Sequence, residues 1–260
     1  MDESTTGGFD RRTASAWQHS WDRQQEAYMP DREERFAAML DAVDATAPTS
    51  RPLRVLDLCG GTGSISLRLV RRRPDAAVTL VDLDPALLRI ARGSLPDTVA
   101  VVQADLREAG WPSRIGRDFD AILTATALHW FAADELSTLY GQILDLLAPG
   151  GIFVNADHMP DDDLPALTED LYAADKRRRE ALYATGAAVS WEGWWNLVAA
   201  DPVLGPLKTE RDELFSIHHG QEWTPPVGWH RDALLAAGFA EAGLVWRGGL
   251  DAAVAARRAR

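Results

Sequence analysis

The chain has 260 residues, 46% hydrophobic and 25% charged, a composition that excludes intrinsic disorder and fibrous or collagen-like structure and supplies a real core. Its length exceeds the ~100–150-residue domain mode, so one large α/β domain, or a domain carrying an insertion, is expected. A net charge of −12, from 27 Lys+Arg against 39 Asp+Glu, opposes binding to nucleic acid and anionic membrane and leaves small molecules or proteins as partners.

A single cysteine, Cys59, excludes an internal disulfide. No charged segment leading into an apolar one opens the chain, so a cytoplasmic location is expected. The apolar runs stop well short of the roughly 20 residues that span a bilayer.

In chain order, residues 1 to 9 are polar and Gly-rich and are expected to fray. Residues 10 to 29 carry Trp17, Trp21 and Tyr28 at helical spacing before Pro30 breaks the run, and 31 to 45 read as an amphipathic helix. From 52 to 156 the β-branched runs LRVLDL, AAVTLVDL, TVAVVQ, FDAILT and GIFVNA alternate with helical patterns, which predicts a parallel sheet covered on both faces. Residues 157 to 225 break that rhythm with DDD at 161 to 163, KRRR at 176 to 179 and SWEGWWNLV at 190 to 198, and read as a mostly helical insertion. A helix over 229 to 238 ends at Gly238. Two last strands, joined by Gly248-Gly249, lie too close in sequence to be parallel. The fold class is α/β, doubly wound, with a mostly parallel seven-stranded sheet closed by an antiparallel pair. Its expected parts are an N-terminal helical lid (1–50), a core (51–156), a helical cap (157–225) and a C-terminal completion of the core (226–260).

VLDLCGGTGSISLRL, residues 55 to 69, is a buried strand that ends in a glycine-rich turn and opens into a helix. Such a turn admits a ligand close to the backbone and aims free helix N–H groups at it. Gly61-x-Gly63 with Asp82 about 20 residues on also satisfies the dinucleotide fingerprint. Asp57 before the glycines, Asp105 in VVQADL, FDAILTATALHW, and LAPGG at 147 to 151 separate the two. Together these motifs resemble the class I S-adenosylmethionine-dependent methyltransferases over residues 50 to 156, and the closing antiparallel pair also matches that family's sheet.

The resemblance implies S-adenosylmethionine as cofactor. It places Asp57 at the start of the glycine-rich loop, Cys59, Gly61 and Gly63 around the methionine, Asp82 on the ribose hydroxyls, Leu83 on the adenine, Asp105 and Leu106 on the adenine edge, and Thr124 and Ala125 along the methionine. Cys59 stands where the family usually has glycine. Asp84 competes with Asp82 for the ribose, but Pro85 makes it a natural helix N-cap. Cys59 has no activating histidine nearby in sequence and reads as inert.

Ligands of open α/β sheets lie beyond the carboxyl ends of the strands, so the acceptor should meet the segments just after strands four and five. There lie Leu128-His129-Trp130 and Asn155-Ala156-Asp157-His158, which makes His129 and His158 the candidate catalytic groups and Trp130 and Asp157 candidate acceptor contacts. Six of the ten tryptophans fall in the last third. Adjacent Trp194 and Trp195 point about 100° apart on a helix, so one should face a pocket. Trp17, Trp21 and Tyr28 would close over the acceptor from the N-terminal side. His218, His219 and Glu222 lack a chelating spacing, and no metal is expected. The expected reaction is methyl transfer to a small aromatic or heterocyclic acceptor of specialised metabolism, at carbon, nitrogen or oxygen, by a monomer or homodimer. A nicotinamide-dependent oxidoreductase, which Asp105 and LAPGG disfavour, and a noncatalytic binding or scaffold protein are the rivals.

Overall fold

The computed structural model describes residues 9–216 and 222–260. Residues 1–8 of the segment 1 to 9 expected to fray, and His218 and His219, lie outside the described residues, whereas Phe9 packs, with the Arg89 guanidinium 4.3 Å from its ring centroid. Two helices open the chain. α1 (Arg11–Tyr28) starts where Asp10 accepts from Thr13 N at 2.8 Å, and α2 (Arg32–Thr46) follows Pro30. The alternating region then gives β1 (Arg54–Leu58), α3 (Ser64–Arg72), β2 (Ala77–Asp82), α4 (Pro85–Ser94), β3 (Ala100–Gln103), β4 (Phe119–Ala125), α5 (Ala133–Leu146) and β5 (Leu147–His158). Helices α6 (Pro165–Ala184), α7 (Trp191–Ala200) and α8 (Leu204–Ser216) make up the described insertion. After it come α9 (Val227–Ala236), β6 (Glu241–Gly248) and β7 (Asp251–Arg257).

The sheet order is β3-β2-β1-β4-β5-β7-β6, with β7 antiparallel to both β5 and β6 and the other pairs parallel. This is the doubly wound, seven-stranded arrangement expected from the sequence. Its reversal between β1 and β4 opens a crevice at the strand ends. One face packs Phe36, Met39, Leu69 and Leu88 from α2, α3 and α4, and the other packs Leu136, Tyr140, Ile143 and Leu234 from α5 and α9. Strands buried on both faces explain why the central runs are continuously apolar.

A third cluster forms outside the sheet. Trp21 of α1, Ala86, Leu87 and Ile90 of α4, and Trp194, Trp195 and Val198 of α7 pack together with Leu204. Helix α1 and the insertion thus share one apolar contact above α4. In contrast, α6 buries none of its residues, and two arginines of the KRRR run, Arg178 and Arg179, pair with Asp175. Among the described residues no helix is long and apolar enough to cross a membrane.

Helices α1 and α4 meet at Gly93, where an added Cβ would stand 2.5 Å from Ala14 Cβ. Both atoms are fixed to helical backbone, so neither can rotate away. Gly93→Ala is therefore expected to cost about 1–3 kcal/mol by overpacking, read as a lower urea midpoint with α1 shifted. Unchanged stability would mean that the two helices separate freely.

Candidate active site

The cleft begins at the loop between β1 and α3. Cys59, Gly61 and Gly63 adopt φ of +54°, +53° and +84°, a left-handed sequence that glycine enters without strain and Cys59 enters at some cost. Burial pushes the Cys59 thiol well up, so the thiolate that could attack is suppressed. Asp57 fastens the loop to α3, because its Oδ2 accepts from Ser66 N at 3.0 Å and Ser66 Oγ at 2.6 Å. Its Oδ1 is buried with no partner among the described residues, and burial raises this carboxyl to about 6.

At the end of β2, Asp82 accepts from Gly61 N at 2.7 Å and from Asp84 N at 2.8 Å, so it ties the loop to the next strand. Burial raises its pKa. Asp84 is occupied elsewhere. Its Oδ1 caps α4 through Ala86 N and Leu87 N, and its Oδ2 accepts from Arg211 Nε at 2.6 Å.

A cavity of about 390 Å³ opens above these residues, lined on one side by Asp82, Leu83, Asp105, Leu106 and Ala125. Asp57, Cys59 and Gly61 also reach its wall. Gly63 serves instead as the N-cap of α3 and is not part of the wall. Thr124 is fully buried off the cavity, because the pleat of β4 turns it to the same face as Ile122.

The other side is formed by α1 and the insertion, with Trp21, Tyr28, Trp191, Trp195 and Phe215 in the wall. Trp17 and Trp194 do not line it. Trp194 is buried, donates Nε1 to Ser20 Oγ at 3.0 Å, and meets the Trp17 ring edge-on at 5.7 Å.

At the β4 end, His129 and Trp130 face the cavity. His129 Nδ1 lies 2.8 Å from Asp157 Oδ1, and Asp157 Oδ2 accepts from the backbone N–H groups of Leu128 and His129. Asp157, expected to touch the acceptor, therefore stands behind the histidine and orients it. Its burial would raise its pKa, but the His129 charge and hydrogen bond outweigh that and hold it down to about 2. Conversely, burial depresses His129 while the Asp157 carboxylate raises it, and the net shift is upward. With Asp157 ionised, Nδ1 donates to it and Nε2 is left as the basic nitrogen.

His158 lies behind Tyr28, meeting its ring edge-on at 5.4 Å, and is absent from the cavity wall. Its Nδ1 is 2.6 Å from Asp251 Oδ1, and Asp251 Oδ2 accepts from the buried Arg35 at 3.2 Å. Burial pushes the Tyr28 phenol up to about 12, with Glu222 adding to the effect, so it stays protonated.

Gln25, Arg32, Arg107, Arg211 and Phe215 also line the cavity, though no motif in their local sequence marked them. Glu222, weighed from the sequence only beside His218 and His219 as a metal ligand, belongs to the wall as well.

A family model described as a methyltransferase domain matches residues 55–151. Trans-aconitate 2-methyltransferase of Acidovorax sp. (strain JS42) is 30% identical over 191 residues, covering 70% of this chain and 68% of that protein. The chain belongs to the class I S-adenosylmethionine-dependent methyltransferases. Malonyl-[acyl-carrier protein] O-methyltransferase of Geobacter sulfurreducens is 34% identical over 105 residues, 40% of this chain and 38% of its own length. The chain thus spans less than half of that relative. Among solved methyltransferases, human N-acetylserotonin methyltransferase in complex with SAM aligns over 95% of this chain and 59% of that one, with TM-score 0.56 and 17% identity. A Mesorhizobium loti S-adenosylmethionine-dependent methyltransferase aligns over 85% and 98%, with TM-score 0.51 and 20% identity. These two likenesses are of methyltransferase fold.

Proposed function

We propose that this methyltransferase moves the methyl group of S-adenosylmethionine onto a small aromatic or heterocyclic acceptor. The observation that carries the cofactor assignment is the ring of acceptors around a backbone-lined hollow. Asp57 Oδ1 is buried without a partner among the described residues, while the Asp82 and Asp105 carboxylates stand on the same wall. At Gly60 a Cβ would strike Leu80 Cγ at 2.7 Å and Asp57 Cγ at 2.8 Å, so the loop is built for bare backbone. Asp82 would hold the ribose hydroxyls, Leu83 and Leu106 would flank the adenine with Asp105 at its edge, and Asp57, Cys59, Gly61 and Ala125 would surround the methionine.

When bound, the cofactor supplies a methyl group already activated by its sulfonium. The protein's part is then to position the acceptor, exclude water and remove a proton where the acceptor carries one. His129, on the wall and oriented by Asp157, suits the last task. The rings of Trp21, Tyr28, Trp191 and Trp195 favour a flat apolar acceptor and a neighbouring cation alike.

The trans-aconitate relatives suggest a second reading, a carboxylate acceptor. On the described wall, however, Arg32, Arg107 and Arg211 each already face a carboxylate, of Asp22, Glu135 and Asp84.

Calorimetric titration with S-adenosylhomocysteine and with NAD(H) tests the cofactor assignment: saturable binding of the first and none of the second is expected. Asp82→Ala is expected to weaken S-adenosylhomocysteine binding by about 1–3 kcal/mol, since two hydroxyls lose a charged acceptor. An unaffected Asp82→Ala with a large loss in Asp84→Ala would move the ribose contact to Asp84. Screening aromatic acceptors with labelled cofactor, with products read by mass spectrometry, tests turnover and separates it from mere binding.

A further inference from the structure

Among the described residues, cofactor binding as proposed leaves one carboxylate of the cavity wall unused. Asp82 and Asp105 go to the nucleoside and Asp57 to the loop and methionine end, while Asp84 is spent on α4 and Arg211. Glu222 remains, on the wall at the end where His129 and Tyr28 stand. Its place is held by the next residue, because Trp223 N donates to the His129 carbonyl at 2.9 Å and the Trp223 ring packs edge-on against Trp229 at 4.7 Å. The Glu222 charge reaches both neighbours, raising the pKa of Tyr28 and of His129.

The rest of that wall points the same way. Trp21 and Trp191 rings lie 5.7 Å apart, and Trp191 and Trp195 rings 5.8 Å apart, so three indoles adjoin at one side of the cavity. One of these faces is already taken by a side-chain cation, which leaves the Trp21 and Trp191 rings for a ligand. The Arg211 guanidinium sits 4.1 Å from the Trp195 ring centroid and 4.6 Å from that of Phe215, with Asp84 as its counter-ion. A cavity with a carboxylate at one end and aromatic rings along another side attracts an organic cation and repels an anion of the same shape.

We propose that the methyl acceptor carries a protonated amine or comparable organic cation, which Glu222 and the indole-lined wall recognise. The inference rests on the methyltransferase reading above and adds the charge of the acceptor to it. Glu222 is the specificity-determining residue, acting on acceptor binding without proton transfer.

The test is calorimetry on the full chain saturated with S-adenosylhomocysteine, using tryptamine and indole-3-acetate as probes that share a ring and differ in charge. Tryptamine is expected to bind saturably in the millimolar range or tighter, and at least about tenfold more tightly than indole-3-acetate. Glu222→Gln, a substitution at an exposed residue, should remove most of that preference and leave S-adenosylhomocysteine affinity unchanged. Three results overturn the proposal: no saturable tryptamine binding, equal or tighter binding of indole-3-acetate, or a preference that survives Glu222→Gln. A Glu222→Gln protein that loses affinity for S-adenosylmethionine but not for S-adenosylhomocysteine also overturns it, by assigning the carboxylate to the sulfonium. Failure of the wild type to bind S-adenosylhomocysteine is a distinct result, which removes the methyltransferase reading and this proposal with it.

Discussion

Replacing His129 with Ala is expected to lower kcat by roughly 10²–10⁴ on an acceptor that must lose a proton, with S-adenosylhomocysteine affinity nearly intact. The expectation rests on a cavity-facing imidazole whose Nδ1 is held at 2.8 Å by Asp157, leaving Nε2 as the base. Only neutral imidazole accepts a proton, so the wild-type rate should rise as pH climbs through the His129 pKa. Asp157 holds that pKa above the ordinary value of 6.5, which places the acid limb above that pH. In Asp157→Asn the supporting charge is gone, and the limb should move to lower pH as the imidazole loses its reason to stay protonated. Single-turnover rates against pH measure both effects. Full activity in His129→Ala would remove the histidine from the reaction, while a lowered rate with an unmoved acid limb would make it a positioning group only. His158→Ala should cost less than His129→Ala, because that ring touches Tyr28 instead of the cavity.

The division of labour between the two histidines shows where sequence reading stops. Both were legible as candidates, since each comes just after the carboxyl end of a central strand. What separates them is the partner each one finds. His129 turns back to Asp157, 28 residues on. His158 faces Asp251 directly across the antiparallel pairing of β5 with β7, 93 residues away. β5 and β7 lie far apart in the chain and both are buried, so the local pattern of neither one names the residue it will face.

The core was more readable because its signal is local. Five apolar strand runs, a glycine-rich turn and Asp82 at the end of β2 all lie within spans of a few residues, and each appears in the structure where the pattern put it. Asp84 as helix cap was legible for the same reason, because Pro85 comes next. Thr124 turns away from the cavity, which its sequence did not reveal, because its neighbours along β4 alternate between two buried faces and apolar residues on both sides hide the alternation. The insertion was readable as helical but not as docked. Arg211 reaching Asp84 across 127 positions and Trp194 reaching Ser20 across 174 are what seat it over the cleft, and neither residue advertises its partner.

The second large effect is expected far from any reacting group, at the pair that supports His158. Arg35 is fully buried on α2, donates Nη2 to the Pro30 carbonyl at 2.8 Å and to Asp251 at 3.2 Å, and stacks 5.3 Å from the Trp246 ring centroid. Its Nε and Nη1 have no partner among the described residues, and burial lowers its pKa despite Asp251 beside it. A buried ion pair of this kind contributes little net stability while intact, yet removing one member strands the other charge without solvent. Arg35→Ala is therefore expected to destabilise the fold by about 3–5 kcal/mol, because among the described residues the Asp251 side chain then keeps only His158 as partner. Asp251→Ala should cost a similar amount by stranding the guanidinium. The double replacement Arg35→Met with Asp251→Leu should recover most of the loss, since neither charge remains to be buried. Urea unfolding of the wild type and the three variants measures each of these costs. A single Arg35→Ala costing under about 1 kcal/mol would show that water reaches the pair on substitution, whereas a double variant as unstable as the singles would show that the guanidinium's packing on Trp246, more than its charge, holds α2 against β6 and β7.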